Sequence, residues 1–418
     1  MNLTSLLIFL SINWVLIFFI CFFAILIFLI FAKKFNLLTL FLSLYFSFFL
    51  ISIFLFPESQ IYITQLKKEF LEENKGASLD FFPSSFLRTV DGRGKQNIFS
   101  HSKKLISPIE FPLSGAKRKT TIFCKEDEIL VSYESDRFGF RNKDSLWEEK
   151  KQDILILGDS FAHGACVDNS ISENLNKKSI NSISLGQGGN GLLTSYAVNK
   201  EYISDYQANI TYLLIYYNDY SREEGHPLLI DFEREIKNTT LKKTLLEKDF
   251  TQGYFNEENL NNLNLYYEVI TKNFINQNRL NYNKYLYVLS LKPLLEFINN
   301  IYTLELSSSM RYLSKKNELL FIQTLNSLNN INNKRIFYII LPNKRCFSNE
   351  FSEINYLKSN LIHSEINENQ ILDLSKKMCN KTYFAFNGVH FNKDGYEKIS
   401  NIIYKHYIDN LYEKISLK

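Results

Sequence analysis

Asp153-Ile154-Leu155-Ile156-Leu157-Gly158-Asp159-Ser160-Phe161 is the stretch that decides the fold. Its short apolar run shows no alternation and stops at a glycine. A strand reads this way when neither of its faces meets water, as in a parallel sheet covered by helices on both sides. The polar tripeptide Gly158-Asp159-Ser160 falls where such a strand gives way to a helix. In open α/β sheets that is the end at which ligands bind.

Downstream, the same grammar repeats. Ser170-Ile171-Ser172-Glu173 has capping-box spacing and starts a helix. Residues 180–185, 210–217 and 335–341 read as three further strands, the last stopped by Pro342. Residues 371–374 read as a short fifth strand, and 394–411 as a closing amphipathic helix. Strands alternating with helices predict a three-layer α/β domain over 151–418, flavodoxin-like, with a parallel sheet. The Asn-, Leu- and Tyr-rich stretch 221–333 is too long for a simple crossover and is expected to form a helical cap or lid. Upstream, 57–150 is irregular, with turn clusters at Asp91-Gly92-Arg93-Gly94 and Pro112-Leu113-Ser114-Gly115. It is expected to pack on the domain that follows.

The first 56 residues form a different kind of segment. Trp14 to Ala32 is nineteen residues without a charge, and the apolar stretch reaches back to Leu6. Lys33-Lys34-Phe35-Asn36 interrupts it, and Leu37 to Phe56 adds twenty more. At about 1.5 Å per residue each run crosses a hydrocarbon core of roughly 30 Å. A cleaved signal peptide fits poorly: no Lys or Arg precedes the first run, the run is too long, and no A-x-A site follows. The expectation is a two-helix transmembrane hairpin, with residues 6–56 in contact with the lipid bilayer. Two lysines in the tight turn put that turn in the cytoplasm and the bulk of the chain outside. Lys67, Lys68 and Lys75 oppose this orientation, though Glu69, Glu72 and Glu73 lie among them.

Composition narrows the remainder. Of 418 residues 45% are hydrophobic and 22% charged, which excludes a chain disordered throughout. A net charge of +4, without basic stripes, is no nucleic-acid footprint. The six His show no HxH or HExxH spacing and the chain lacks GxxxxGK[ST], so neither a metal nor a nucleotide cofactor is expected.

The chemistry-bearing residues gather at the predicted strand ends. The first strand runs into Gly158-Asp159-Ser160 and the second into Gly186-Gln187-Gly188-Gly189-Asn190-Gly191. The third ends in Asn218-Asp219, and Asn387-Gly388-Val389-His390 precedes the last helix. A serine at a strand-to-helix turn is exposed, beside amide N–H groups suited to a developing oxyanion. Gly189 has no side chain to keep its N–H from a tetrahedral intermediate, and Asn218 offers a side-chain NH₂. His390 is the candidate base for the Ser160 proton.

In order and spacing these four stations resemble the blocks of the SGNH (GDSL-type) hydrolase superfamily. The resemblance implies Ser160 as nucleophile, His390 as base, and an oxyanion hole of the Ser160 and Gly189 N–H groups with Asn218. Asp159 and Asp219 would hold the loops by hydrogen bonds. One position departs from the pattern: the Asp that orients the base is here Asn387. An amide oxygen still accepts the imidazole Nδ1–H but lends no charge to the imidazolium, and the same change in a serine protease costs about 10⁴ in turnover. Asp394, Asp373 or a bare Ser160–His390 dyad are the substitutes open to the chain.

Pro112-Leu113-Ser114-Gly115, Phe123-Cys124, Ser135 to Asn142 (SDRFGFRN) and Gly164-Ala165-Cys166-Val167 are similar to a bacterial, membrane-anchored branch of these hydrolases, some of which accompany surface-polysaccharide machinery. That likeness implies an Arg-Phe-Gly-Phe segment wrapping the site's edge, a Cys124–Cys166 disulfide and hence an extracytoplasmic domain on the inner membrane. Cys346 and Cys379 are a second possible pair, and Cys21 lies within the apolar hairpin. The expected activity is ester hydrolysis of an acylated saccharide or small ester. Transfer of the acyl group to a polysaccharide and a degenerate, purely binding envelope protein are the alternatives. His163, Tyr216-Tyr217 and Tyr266-Tyr267 are read as packing residues, and the lysines at 117–119 as a solvated face.

Overall fold

The computed structural model describes residues 22–54, 58–79, 113–126, 129–216, 219, 251, 253–277, 289, 291, 294, 315–342, 346, 352–364, 366–386 and 389–416. The chain divides into two compact units. One joins Met1–Glu72 to Val90–Gln96 and Asn273–Tyr312; the other holds Glu73–Thr89, Asn97–Lys272 and Leu313–Lys418.

In the first unit, helix α1 (Phe22–Phe31) turns back at Lys33 (φ +51°) into α2 (Phe35–Phe54). Phe22 meets Phe41 and Tyr45 at ring separations of 5.3 and 4.8 Å, so the two helices run antiparallel. Over Phe35–Ser52, α2 is long and apolar enough to cross a membrane, and it is the one such helix among the described residues. Residues 14–21 of the first predicted span lie outside them. Leu37, Leu40 and Phe46 stand more than half exposed, an arrangement that suits lipid and not water. Helix α3 (Glu58–Glu73) follows.

The second unit contains two sheets. Strand β1 (Ser78–Leu79) pairs in parallel with β2 (Thr120–Glu126), which pairs antiparallel with β3 (Ile129–Glu134). The stretch expected to be irregular therefore carries a small sheet and a helix. Ile122, Phe123, Val131 and Tyr133 are the buried residues that give it a packed face.

The main sheet is parallel and five-stranded. Its members are β4 (Lys151–Leu157), β5 (Ser182–Ser184), β6 (Gln207–Ile215), β7 (Ile336–Ile340) and β8 (Ile371–Asp373), in the order β5-β4-β6-β7-β8. Successive residues of β4 point into different cores: Leu155 and Leu157 into one, Ile154 and Ile156 into the other. That double burial is the physical reason for the unbroken apolar run. The first core is covered by α6 (Leu192–Asp205), α7 (Glu257–Gln277), α8 (Lys315–Ile331) and α9 (Ser352–His363). The second is covered by α5 (Ile171–Asn176) and α10 (Lys393–Ser416). The order reverses between β5 and β6, on either side of β4, which makes the end of β4 the topological switch point.

Of the stretch 221–333, expected to form a helical cap or lid, α7 and α8 are among the described residues. Helix α8 packs its Phe321, Leu325 and Leu328 into the sheet core, as the crossover into β7 does in any such fold. Within that stretch, residues 221–250, 278–288 and 295–314 lie outside the described residues. Lys117 and Lys119 pair with Glu257 and Glu268 on α7. These are surface pairs worth little each.

Candidate active site

Ser160 opens α4 (Ser160–His163), a single helical turn directly after β4. Asp159 caps that turn: its Oδ1 accepts from the Phe161 N–H at 2.9 Å and its Oδ2 from the Ser160 hydroxyl at 3.1 Å. Four residues carry little macrodipole, so the turn contributes its individual N–H groups. Ser160 is 7% exposed.

His390 arrives from 230 residues downstream and puts Nε2 2.8 Å from Ser160 Oγ. A tight chain reversal presents it: Phe384 and Phe391 form a bridge, and the Ala385 N–H donates to the His390 carbonyl at 3.0 Å. Phe161 lies 5.1 Å from both the His390 and the Phe391 rings, so the serine turn and the histidine turn pack on each other. The one Ser160 hydroxyl proton serves one of its two contacts at a time: turned from Asp159 Oδ2 onto a neutral His390 Nε2, it lies where histidine can take it.

The other predicted stations sort as follows. Asp219 is buried behind the end of β6, its Oδ2 accepting from the Tyr216 N–H at 2.7 Å while its own N–H donates to the Tyr216 carbonyl. Gly189 has φ +83°, a backbone state that favours glycine. A Cβ on Gly186 would come within 2.3 Å of Ala162 Cβ, so the glycine turn lies directly against the serine turn. Asn218, Asn387 and Gly388 lie outside the described residues. Asp373 is engaged by Lys358 and Ser375, and Asp394 is exposed at the start of α10.

His163 is buried and packs as expected, with a further task. The Gly188 N–H donates to its Nδ1 at 3.3 Å, which leaves the proton on Nε2 to donate to the Tyr133 hydroxyl at 3.0 Å. Its ring stacks on Phe123 at 4.1 Å. Burial, reinforced by the Arg141 guanidinium, holds its pKa well below the usual 6.5. A neutral imidazole thus ties the small sheet to the glycine turn.

Residues 135–142 supply connections that local sequence did not announce. Asp136 is fully buried and accepts four hydrogen bonds, from the Phe138 and Phe140 N–H groups, Asn142 Nδ2 and Trp147 Nε1. Burial nevertheless pushes its carboxyl up to about 6. Arg141 donates to the carbonyls of Gly164, Val167 and Asp168 and pairs with Glu173 at 3.1 Å, wrapping the loop that follows Ser160. Ser114 is clamped by the hydroxyls of Tyr254 and Tyr267, the second donating to its carbonyl at 2.6 Å. Cys346 and Cys379 form a disulfide. Cys166 (φ +61°) is also disulfide-bonded and packs with Phe123; the Cys124 side chain lies outside the described residues.

No protein-family model matches this chain, and no curated protein is similar enough to it to register as a match.

Proposed function

We propose that this protein is a membrane-anchored serine ester hydrolase of the SGNH type whose substrate is an acylated cell-surface glycan or related saccharide. One observation carries the reading: the 2.8 Å approach of His390 Nε2 to Ser160 Oγ at the switch point of a parallel sheet. Ser160 Oγ attacks the ester carbonyl as its proton passes to His390 Nε2. The oxyanion is held by the N–H groups of Ser160 and Gly189 and by the Asn218 side chain. Collapse expels the alcohol, which takes the proton back from His390, and leaves the acyl group on Ser160. Water then attacks the acyl-enzyme as its proton passes to His390; collapse releases the carboxylic acid and His390 returns the proton to Ser160 Oγ. Asn387 orients the imidazole without charging its surroundings, so turnover is slow.

Phe386 and Val389, 88% and 51% exposed beside His390 in the chain, offer an apolar lip for the acyl group. The anchor is read as a two-helix hairpin over residues 6–56 with the catalytic unit outside the cytoplasm. The Cys346–Cys379 disulfide favours that oxidising location, and a Cys124–Cys166 pair is part of the same proposal. Attack by a saccharide hydroxyl instead of water would make the same site an acyltransferase.

The test is turnover of p-nitrophenyl acetate and butyrate by the detergent-solubilised chain, with and without a saccharide acceptor. Ser160→Ala should abolish turnover and Asn387→Asp should raise it. Acylated saccharide among the products would identify transfer. Absence of turnover in every variant would leave a binding protein as the better description.

A further inference from the structure

Two buried side chains beside the serine turn take no part in holding the fold. Gln187 and Asn190 stand in the glycine turn at 0% and 1% exposure. None of Gln187 Oε1, Gln187 Nε2, Asn190 Oδ1 and Asn190 Nδ2 has a hydrogen-bond partner among the described residues. The turn is held by its backbone instead. The Gln187 N–H donates to the Gly158 carbonyl at 3.4 Å, the Gly188 N–H to His163 Nδ1 at 3.3 Å, and the Asn190 N–H to the Gln187 carbonyl at 3.0 Å. Gly158 and His163 lie on either side of Ser160 in the chain, so these bonds fix both residues beside the proposed nucleophile. Asparagine is a favoured helix cap, yet α6 is capped by Gly191 with no side-chain cap bond.

A carboxamide buried without partners keeps the whole cost of leaving water, so two in one turn call for something else to pair with them. Their donors and acceptors define its chemistry. Each carboxamide offers NH₂ donors and an acceptor oxygen. A carboxylate or phosphate accepts only, and would face Gln187 Oε1 and Asn190 Oδ1 with like partial charge. An ammonium donates only, and would leave both NH₂ groups unpaired. A hydroxyl both donates and accepts, and a saccharide carries several at fixed spacing. A substrate reaching Ser160, itself 7% exposed, displaces what covers this end of the sheet.

We propose that the carboxamides of Gln187 and Asn190 bind hydroxyl groups of a neutral saccharide whose ester carbonyl stands at Ser160. This rests on Ser160 being the nucleophile, and the experiment separates the two claims. The full-length chain in detergent is given p-nitrophenyl acetate, randomly part-acetylated cello-oligosaccharide, and part-acetylated oligogalacturonate as the anionic comparison. Random acetylation places free hydroxyls around the ester in every arrangement. Turnover is compared in wild type, Ser160→Ala, Gln187→Met and Asn190→Leu. Asn199→Leu is the control, since Asn199 is as buried and as unpaired about two turns along α6. Wild type should prefer the neutral oligosaccharide to galacturonate. The ratio of cello-oligosaccharide to p-nitrophenyl acetate kcat/KM should fall about tenfold or more in Gln187→Met and in Asn190→Leu, but not in Asn199→Leu. Should an apolar variant fail to fold, Gln187→Glu and Asn190→Asp keep the shape, lose the NH₂ donors and are held to the same fall. Turnover that needs Ser160 but shows a smaller fall, one matched by Asn199→Leu, or a preference for galacturonate would overturn the inference alone. Turnover indifferent to Ser160→Ala, or none at all, would overturn the nucleophile and the inference with it.

Discussion

Asn142 and Ser184 are joined by two hydrogen bonds: the Asn142 side-chain oxygen accepts from the Ser184 N–H at 2.8 Å, and its NH₂ donates to the Ser184 carbonyl at 2.9 Å. Strand β5 is an edge strand, so this one amide does for Ser184 what a further strand would have done. The same NH₂ donates to Asp136 Oδ2 at 2.9 Å. Ser184 Oγ in turn donates to the Ala162 carbonyl and accepts from the Gly186 N–H. A continuous chain of hydrogen bonds therefore runs from the N-terminal extension to the serine turn and the glycine turn.

Asn142→Asp tests that chain. The new carboxylate keeps the bond from the Ser184 N–H but sets its second oxygen against the Ser184 carbonyl and the Asp136 carboxylate. The expected cost at pH 7.5 is about 3 kcal/mol of unfolding free energy. The loss should shrink as the pH falls and the crowded carboxyls take up a proton. Urea denaturation across pH measures both.

Asp136 and His163 titrate with opposite consequences. The Asp136 carboxyl is raised from 3.8 to about 6, so the folded state binds its proton more tightly than the unfolded chain does. Its contribution is therefore lost as the pH rises from about 4 to 6, by about 3 kcal/mol. His163 is depressed well below 6.5, so its contribution is present above 6.5 and lost as the pH falls. His163→Gln should leave a protein whose stability declines with rising pH through this window. Asp136→Asn, although less stable throughout, should show the opposite slope. Denaturation midpoints between pH 4 and 7 give the two signs.

Gly186→Ala addresses the contact between the two turns. The added Cβ meets Ala162 Cβ at 2.3 Å and the Ala162 and His163 backbone within 2.9 Å, none of it flexible. Relief requires moving the serine turn, at a cost of about 1–3 kcal/mol. On the proposed mechanism, displacing Ser160 by even a fraction of an ångström from the proposed oxyanion donors should lower kcat at least tenfold with little change in KM. Steady-state kinetics beside a melting curve separates the two effects.

The Cys346–Cys379 bridge closes a loop of 33 residues' separation. Cross-linking a loop of that size stabilises by about 3–4 kcal/mol on the chain-entropy account. Cys346→Ser with Cys379→Ser should lower the melting temperature by several degrees. Mass mapping of the unreduced chain should also recover a Cys124–Cys166 peptide pair.

Much of the five-stranded α/β unit was legible because its strands are buried on both faces. Ile154 to Leu157, Ile210 to Ile215 and Ile336 to Ile340 could not read as anything alternating. Gly158-Asp159-Ser160 after the first of these runs and Asp219 beyond the second mark the proposed site in the sequence. The small sheet was hidden because β2 ends in charged Lys125 and Glu126 and the buried residues of its strands pack on partners distant in the chain, such as His163. Helix α8 was assigned to the insertion because its Asn- and Leu-rich composition continues that of the stretch before it; only its contact with the sheet distinguishes it. His163 could be placed near Ser160 by its spacing of three. Its hold on Gly188 and Tyr133 joins segments 25 and 30 residues away, which no local pattern carries. Asp136 was unreadable for the same reason, since a buried acid is recognisable only by the donors around it.

The most direct test of the central claim is covalent labelling of the full-length protein with a fluorophosphonate, followed by peptide mapping and by rate measurement in Ser160→Ala and His390→Gln. The account predicts a single adduct on Ser160, absent in Ser160→Ala and formed at least 100-fold more slowly in His390→Gln, in keeping with the loss of a general base. An unlabelled Ser160, or a labelling rate indifferent to His390, would contradict it.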